Sequence, residues 1–270
     1  DFNERNEQEA AEFTLPFAHV ESHVKSVRLA KRDQGAARYW WRFLRPRPKL
    51  RKAIAEFDQV LAIALTSKSV MPVRVKTGPV FSNTLGIFAT DSFTDQAVLS
   101  SSAHQLWAIK FGSGMRNDPR YTPSDVFETF PRPEPTDQLE DVGRTLDEER
   151  REIMGRRELG LTSLYNLIND PQINDSADSD VGRMRRIHVE LDESVIDAYG
   201  WSSIPLNHDF HTYRQMERWT VSPEARVEVL DCLLEENLRR APLEESIEAS
   251  DSSRSQQMRH GDEATLFSDG

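Results

Sequence analysis

Cysteine, long apolar runs and clustered catalytic carboxylates are scarce in this chain, and each scarcity excludes a class of protein. The 270 residues include one cysteine, Cys232, so an internal disulfide is impossible. The chain also carries no secretory signal, and we therefore expect a reducing, cytoplasmic compartment. No apolar stretch approaches the roughly 20 residues of a membrane-spanning helix. No strand-like segment carries the Asp…Glu-x-Lys grouping of a nuclease.

Basic residues are outnumbered overall but concentrated in one segment. The chain has a net charge of −11, yet residues 25–52 hold eleven Lys and Arg and one acid. That segment carries +10 and the remaining residues together carry −21. An acidic body with one basic segment is typical of a protein that meets phosphate with one face. The alternative is a basic surface that contacts only solvent. Aromatic residues lie among the charged ones, however, and this favours a surface that binds nucleic acid. These aromatic residues are Tyr39, Trp40, Trp41 and Phe43, of which the two tryptophans fit core packing better than base stacking.

A polar loop between two anchored elements is the most informative part of the chain. Residues 93–111 have apolar side chains at three- and four-residue steps and predict one amphipathic helix, with Gly112 at its end. The loop 113–121 follows, and Thr122-Pro123-Ser124-Asp125 then opens a short helix with proline at the first helical position. A polar loop fixed at both ends is a good platform for recognition.

The side chains of this loop suit the edges of DNA bases. Arg116 and Arg120 can each pair with guanine O6 and N7, Asn117 suits adenine N6 and N7, and Asp118 can accept from cytosine N4. A structural role competes, because Asp118-Pro119 can be a turn and Arg120 can pair with a nearby acid, Asp125 or Glu128. The predicted base-reading residues are Ser113, Arg116, Asn117, Asp118, Arg120 and Tyr121.

Residues 59–90 predict three strands, and the second of these alternates. Its valines lie on one side, and Arg74 and Lys76 lie on the other, which makes these two cations the next candidates for DNA contact. The predicted contacts to the DNA backbone are Arg42, Arg45, Arg47, Lys68, Arg74 and Lys76.

From Thr136 onward the pattern is helical, with apolar residues at helical spacing and dense surface charge. Residues 171–180 interrupt it and predict a flexible acidic linker. The sequence therefore predicts an α+β fold: a small mixed β-sheet recognition module with a packed helix, followed by a mainly α-helical C-terminal region.

A family resemblance emerges from the central stretch. Ser101-Ser102-Ala103-His104, Trp107 and Phe111-Gly112-Ser113, followed by the run from Arg120 to Pro131, resemble the target-recognition region of MmeI-like (type IIL) restriction–modification proteins and their adenine-specific DNA methyltransferase relatives. The segment HVELDESVIDAYGW, residues 188–201, also resembles a motif of that family. The resemblance covers roughly residues 13–240.

The resemblance implies a function for the parent protein. That protein would methylate adenine N6 at a specific DNA site with S-adenosylmethionine, while this chain, as a fragment without the catalytic domain, would read the site. The implied partners are double-stranded DNA and a methyltransferase domain, either upstream in the same chain or in a separate subunit. A stand-alone specificity or interaction subunit is the alternative. A degenerate remnant is a further one, suggested by Gly114 and Arg132 where the family has Ser and Phe.

The expected domain organisation follows from the same resemblance. We expect a partly ordered lead-in over 1–30, a DNA target-recognition domain over 31–135 and a helical domain over 136–240. The remaining residues, 241–270, are rich in Ser, Glu and Asp and predict a disordered tail.

Several patterns imitate chemical sites but favour structural roles. Phe111-Gly112-Ser113-Gly114 imitates the loop that binds S-adenosylmethionine, yet that loop follows a strand and opens a helix. Pro-Pro is absent, so the Asn/Asp-Pro-Pro-Tyr/Phe motif for a flipped adenine is missing. His208 and His211 have possible metal spacing without a supporting Cys or second His pair. We predict no catalytic, metal or cofactor site in this chain, and hydrogen-bonded structural roles for His104 and His188.

The basic segment generates the first testable prediction. The chain should bind duplex DNA weakly, and with about five phosphates neutralised, log K should fall against log salt with a slope near −4.5. Reversing the charge at Arg42, Arg45 and Arg47 should weaken binding to all sequences alike. Titrations between about 50 and 200 mM salt measure the slope, and a flat response would exclude phosphate contact.

Overall fold

The computed structural model describes residues 1–44, 47–67, 70–115, 118–213 and 216–241. Helices and small antiparallel sheets alternate in the first part of the chain, and helices dominate the second. The predicted α+β fold class is therefore confirmed. Within the described residues, none of the helices has the length and apolarity that crossing a membrane requires.

The chain forms two compact units. The first comprises residues 1–58 and 76–82, and the second comprises 59–75 and the described residues from 83 onward. This division by packing differs from the division into functional domains expected from the sequence, which stays a prediction.

Short helices build the first unit. They are α1 (Glu7–Ala11), α2 (Thr14–Val20), a π-helical turn (Glu21–Lys25), α3 (Ser26–Leu29), α4 (Gln34–Arg38) and α5 (Pro48–Ala53). Most of the expected lead-in is thus helical, and Asn6 caps α1 by accepting a hydrogen bond from the Glu9 amide at 2.9 Å. Trp40 and Trp41 are buried in a small core with Phe2, which confirms their packing role.

The three strands predicted from the sequence form one sheet. They are β1 (Gln59–Ala64), β2 (Val73–Lys76) and β3 (Leu85–Phe88), in the order β2-β1-β3. β1 pairs with β3 in antiparallel register, Leu61 opposite Phe88 and Ala64 opposite Leu85. The central position of β1 explains its continuous apolar run, because four of its six residues are buried.

The single amphipathic helix predicted over 93–111 is in fact two helices, α6 (Phe93–Ser100) and α7 (Ser102–Phe111). Ser101 lies between them with extended backbone, φ −74° and ψ 159°. Its hydroxyl donates to the Val98 carbonyl at 2.7 Å and accepts from the His104 amide at 3.2 Å. A serine hydroxyl that satisfies both helix ends replaces the helical hydrogen bonds that the break removes.

The second half of the chain is mainly helical, as predicted. Its elements are α8 (Pro123–Val126), α9 (Asp137–Arg156), α10 (Leu161–Ile168), α11 (Ser179–Ala198) and a last helix, α12, over 223–241. Gly200 follows α11 with φ +78°, the left-handed conformation in which glycine ends a helix at no steric cost. This half also contains a hairpin that the sequence pattern did not predict, β6 (Asp209–Tyr213) with β7 (Met216–Thr220).

The segment predicted to be a flexible acidic linker is held by one buried arginine of α11. Arg185 donates to the carbonyls of Ile168, Ile173 and Asp170 at 2.9–3.0 Å and to the Asp175 carboxylate at 2.5 Å. Because its side chain is almost fully buried, these bonds fix the segment between α10 and α11. Composition alone did not reveal this anchor, because the arginine that supplies it lies further along the chain.

The contact between α6 and α9 depends on Gly143, and it generates a stability prediction. A Cβ atom at this position would lie 2.0 Å from the Phe93 carbonyl oxygen and 3.3 Å from the Ala97 Cβ. Gly143→Ala should therefore force the helices apart and destabilise the fold by roughly 3 kcal/mol, measured by urea unfolding.

Gly155, in the same helix, is the matched control because a Cβ there meets nothing within 4 Å. Gly155→Ala should raise the free energy of unfolding by about 0.5–1 kcal/mol. Equal effects of the two substitutions would contradict the proposed close contact.

Candidate nucleic-acid interface

The loop predicted to read bases is a small hairpin. β4 (Ser113–Met115) pairs with β5 (Asp118–Arg120) in antiparallel register, Ser113 opposite Arg120 and Met115 opposite Asp118. Its tip, Arg116 and Asn117, lies outside the described residues. The hairpin leaves α7 and enters α8, so both of its ends continue into helices.

The base of the hairpin is attached to the segment that follows β1. The Tyr121 amide donates to the Leu65 carbonyl at 2.8 Å, and Arg120 forms a β-bridge with Thr66. The hydroxyls of Ser113 and Thr122 lie 3.2 Å apart across the hairpin base. These bonds hold the base of the hairpin in one orientation within the second unit.

Gly112 permits the close approach between α7 and β5. A Cβ atom there would lie 2.4 Å from the Ala108 carbonyl oxygen and 2.8 Å from the Arg120 carbonyl oxygen. Its φ of −66° is open to any residue, so the requirement for glycine is one of space. A larger residue would push the second hairpin strand away from the helix.

A buried histidine joins α7 to the end of the hairpin. His104 is fully buried, with Nδ1 2.8 Å from the Leu99 carbonyl and Nε2 3.0 Å from the Tyr121 hydroxyl. The carbonyl can only accept, so Nδ1 carries the proton and Nε2 accepts from the tyrosine. Burial lowers the pKa of His104 to about 4 and raises the pKa of Tyr121 well above its usual value, which keeps both groups neutral.

Aromatic packing anchors the segment that follows the hairpin. Phe127 packs on Phe88 of β3 with ring centroids 4.8 Å apart, and Phe130 packs edge-on against His104 at 5.0 Å. The Trp107 indole donates to the Thr129 hydroxyl at 3.0 Å. Phe127 and Phe130 thus anchor the short helix that begins at Pro123.

The structure separates the predicted base-reading residues by exposure. Ser113 and Arg120 are exposed at the hairpin base, and no described carboxylate forms an ion pair with Arg120, so the alternative pairing with Asp125 or Glu128 is not observed. Tyr121 is 4% exposed, and its hydroxyl is bonded to His104. Its burial is at odds with the predicted base contact and gives it a structural role.

Arg74, predicted to contact DNA phosphates, is also at odds with its assignment, because its side chain is 5% exposed. It donates to the Asp91 carbonyl at 2.6 Å and to Gln96 Oε1 at 3.1 Å, and its guanidinium lies over the Phe93 ring at 4.0 Å. Burial lowers its pKa. A cation enclosed in this way ties β2 to α6 and has no access to phosphate.

The other residues predicted to contact the DNA backbone divide into those that the structure describes and those that it does not. Arg42 donates to the Arg5 carbonyl at 3.0 Å and to the Glu4 carbonyl, which orients its guanidinium without neutralising its charge. Arg47 is half-buried and Lys76 is exposed. The two remaining predicted contacts, Arg45 and Lys68, lie outside the described residues.

The first unit carries an exposed basic surface, which we define by its most exposed cations. They are Lys31, Arg32, Arg38, Lys49, Arg51 and Lys52. Within the described part of the 25–52 segment, two cations form ion pairs, Lys25 with Glu21 and Arg51 with Asp1. Most of the excess positive charge found in the sequence is therefore available to an anionic partner.

A buried polar network in the second unit escaped sequence reasoning. The Asp192 carboxylate of α11 accepts from the Ser102 amide and hydroxyl, each at 2.6 Å, and lies 2.8 Å from His208 Nε2. It thus caps the start of α7 across 90 residues of sequence, a separation at which no local pattern could reveal it.

The remaining histidines have structural surroundings. His188 Nε2 lies 2.9 Å from the Tyr165 hydroxyl, and burial lowers the pKa of His188 to about 4. His211 contacts the Asn207 carbonyl at 3.1 Å. Within the described ranges, no three His, Cys, Asp or Glu side chains are placed to hold a metal ion. The structural roles predicted for His104 and His188 are confirmed.

Comparison with solved structures identifies a similar fold. The chain is similar to the Type IIL restriction-modification enzyme MmeI, whose structure was determined in complex with DNA, with a TM-score of 0.54 and 18% identity. The match covers 88% of this chain and 28% of that enzyme, so the chain spans little more than a quarter of its length. At this identity the similarity establishes a shared fold. No family model matches the chain, and no curated protein matches it.

His104, which is buried, and His188, which is half-buried, predict how stability depends on pH, because desolvation lowers the pKa of both. The unfolded chain protonates each near pH 6.5, whereas the folded chain does so only near pH 4. Their contribution to stability is therefore complete above pH 6.5 and is lost as the pH falls towards 4. Between pH 6.5 and 5 the free energy of unfolding should fall by about 1.5 kcal/mol for each histidine, measured by urea unfolding.

His188→Gln should remove about half of this pH dependence, because it leaves His104 in place. A free energy of unfolding that is constant between pH 6.5 and 5 would show that neither histidine is held neutral by the fold.

Proposed function

We propose that this chain is the DNA target-recognition part of a site-specific, S-adenosylmethionine-dependent DNA adenine-N6 methyltransferase or restriction–modification protein. The observation that carries the proposal is the hairpin β4–β5, which presents exposed Ser113 and Arg120 from a base that buried groups hold fixed. Catalysis and cofactor binding would belong to a methyltransferase domain, upstream in the same chain or in a separate subunit.

The fixed base of the hairpin supports a reading role on energetic grounds. Ordering a free loop on DNA costs conformational entropy for every residue that becomes fixed. The bonds from Tyr121 to Leu65 and His104, and the close contact at Gly112, fix the hairpin base before DNA arrives. More of the energy of each base contact can then appear as affinity and selectivity.

The local topology argues against cofactor binding by the Phe111–Gly114 sequence. Phe111 ends α7, and Ser113 begins β4. A loop that binds S-adenosylmethionine has the reverse order, following a strand and beginning a helix. The cofactor is therefore assigned to the methyltransferase domain.

The exposed basic surface and the hairpin would make different contributions to DNA binding. The exposed basic surface of the first unit would supply sequence-independent attraction to phosphates, which dominates affinity and depends on salt. The hairpin would supply base contacts, which carry the sequence information. The second candidate function, a separate specificity subunit, uses the same surfaces and differs in where the methyltransferase domain lies.

Arg120 provides the test. The full chain and its Arg120→Ala and Arg120→Lys variants are each incubated with a library of duplexes, and the bound fraction is sequenced. Arg120→Ala should relax selection at one base position by about 1–3 kcal/mol and leave the salt slope nearly unchanged. Arg120→Lys should relax it too, because lysine keeps the charge but loses the bidentate geometry.

Lys49→Ala is the matched control, since Lys49 is an exposed cation of the basic surface. It should lower affinity for all sequences alike. If both Arg120 variants select the same bases as the parent chain, the hairpin base does not read sequence. Arg116 and Asn117 would be substituted next, because the sequence assigns them to the same reading set.

A further inference from the structure

A cavity of about 190 Å³ lies within the first unit, between α5 and the turn over 77–81. It belongs to neither the hairpin nor the histidine sites described above. Most of the side chains that line it are apolar, and two arginines, Arg47 and Arg51, line it as well. The residues that matter here are Phe43, Arg47, Leu50, Ile54, Val80 and Phe81.

Two of the apolar side chains that line the cavity are exposed to solvent. Phe43 is 49% exposed and Val80 is 43% exposed, whereas Ile54 beneath them is 6% exposed. Isolated exposed apolar residues are common and require no explanation. Here, however, both line one concave site together with two arginines, and a mixture of apolar and charged side chains is typical of a binding site.

The size and charge of the cavity restrict what it can hold. Sites for drug-sized ligands and cofactors occupy roughly 300–1,000 Å³, so this cavity has room for a single ring system. Arg47 is half-buried among the residues that line it and forms no ion pair with any described residue. Four of its lining residues, Phe43, Arg47, Leu50 and Arg51, also belong to the segment that carries eleven Lys and Arg against one acid. A ligand that matches the apolar lining and the positive charge is a flat, uncharged ring with a negatively charged group beside it.

We propose that this cavity accepts one unstacked nucleobase of DNA, with the aromatic rings of Phe43 and Phe81 available to its faces and Arg47 available to a neighbouring phosphate. The inference rests on the proposed DNA-binding function and adds a second contact to it, in the first unit. An apolar side chain of a protein partner would fit the same wall, but the surrounding positive charge favours a nucleic acid.

Three fluorescent duplexes test the proposal against the full chain. One is fully paired, one contains a single unpaired 2-aminopurine, and one contains an abasic residue at the unpaired position. The chain should bind the duplex with the unpaired base at least about fivefold more tightly than either of the others, which corresponds to the stacking of one base on an aromatic residue. The fluorescence of the unpaired 2-aminopurine should change on binding.

Variants at adjacent positions connect the preference to the cavity. Phe43→Ala and Phe43→Leu should abolish the preference for the unpaired base, and Phe43→Trp should keep it. Leu44→Ala is the matched control, because Leu44 is 48% exposed, adjacent in sequence and not part of the cavity wall. It should bind all three duplexes like the parent chain.

The outcomes distinguish this inference from the proposed function. Equal affinity for the three duplexes, with a normal salt dependence, would overturn the cavity assignment and leave DNA binding in place. Loss of the preference in Leu44→Ala as well as Phe43→Ala would also overturn it, because the effect would then belong to the surface and not to the cavity. Failure to bind any of the duplexes would contradict the proposed function itself.

Discussion

The hydrogen bond between His104 and Tyr121 is the interaction on which the candidate interface depends. It connects the first turn of α7 to the residue that follows the hairpin, and both partners are buried. A buried donor or acceptor that loses its partner costs about 1–3 kcal/mol, so the pair favours a single arrangement of helix and hairpin. The absent side chain of Gly112 lets the strand lie close enough for this bond to form.

The helical half of the chain supports the same arrangement at the first residue of α7. Asp192 caps the first turn of α7, and His208 Nε2 lies 2.8 Å from the carboxylate oxygen that also accepts from the Ser102 hydroxyl. On the neighbouring helix, Gln96 of α6 donates to Asp147 of α9 at 3.0 Å and also accepts from Arg74. The hairpin therefore projects from a frame whose polar contacts come from residues far apart in sequence.

Local sequence patterns predicted much of the fold, but they predicted few of the buried polar contacts that support the β4–β5 hairpin. Three strands over 59–90 and the proline-initiated helix at 123 each follow from short-range chemistry that the structure preserves. The break at Ser101 and the burial of Arg74 could not be predicted, because alternation and helical spacing show which side a residue faces but not what packs there. The hairpin β6–β7 was missed for a related reason. Its residues are mostly half-exposed and carry no apolar alternation.

The serine that divides α6 from α7 has a consequence for how such a chain could be recombined. Because α7 is a separate helix, it has its own N-terminus, and the carboxylate that satisfies this terminus belongs to α11. A crossover placed anywhere between Ser102 and Asp192 would bring the helix from one parent and its cap from another. Only an exchange that includes both Ser102 and Asp192 would keep the hairpin attached to a helix whose N-terminal cap comes from the same parent.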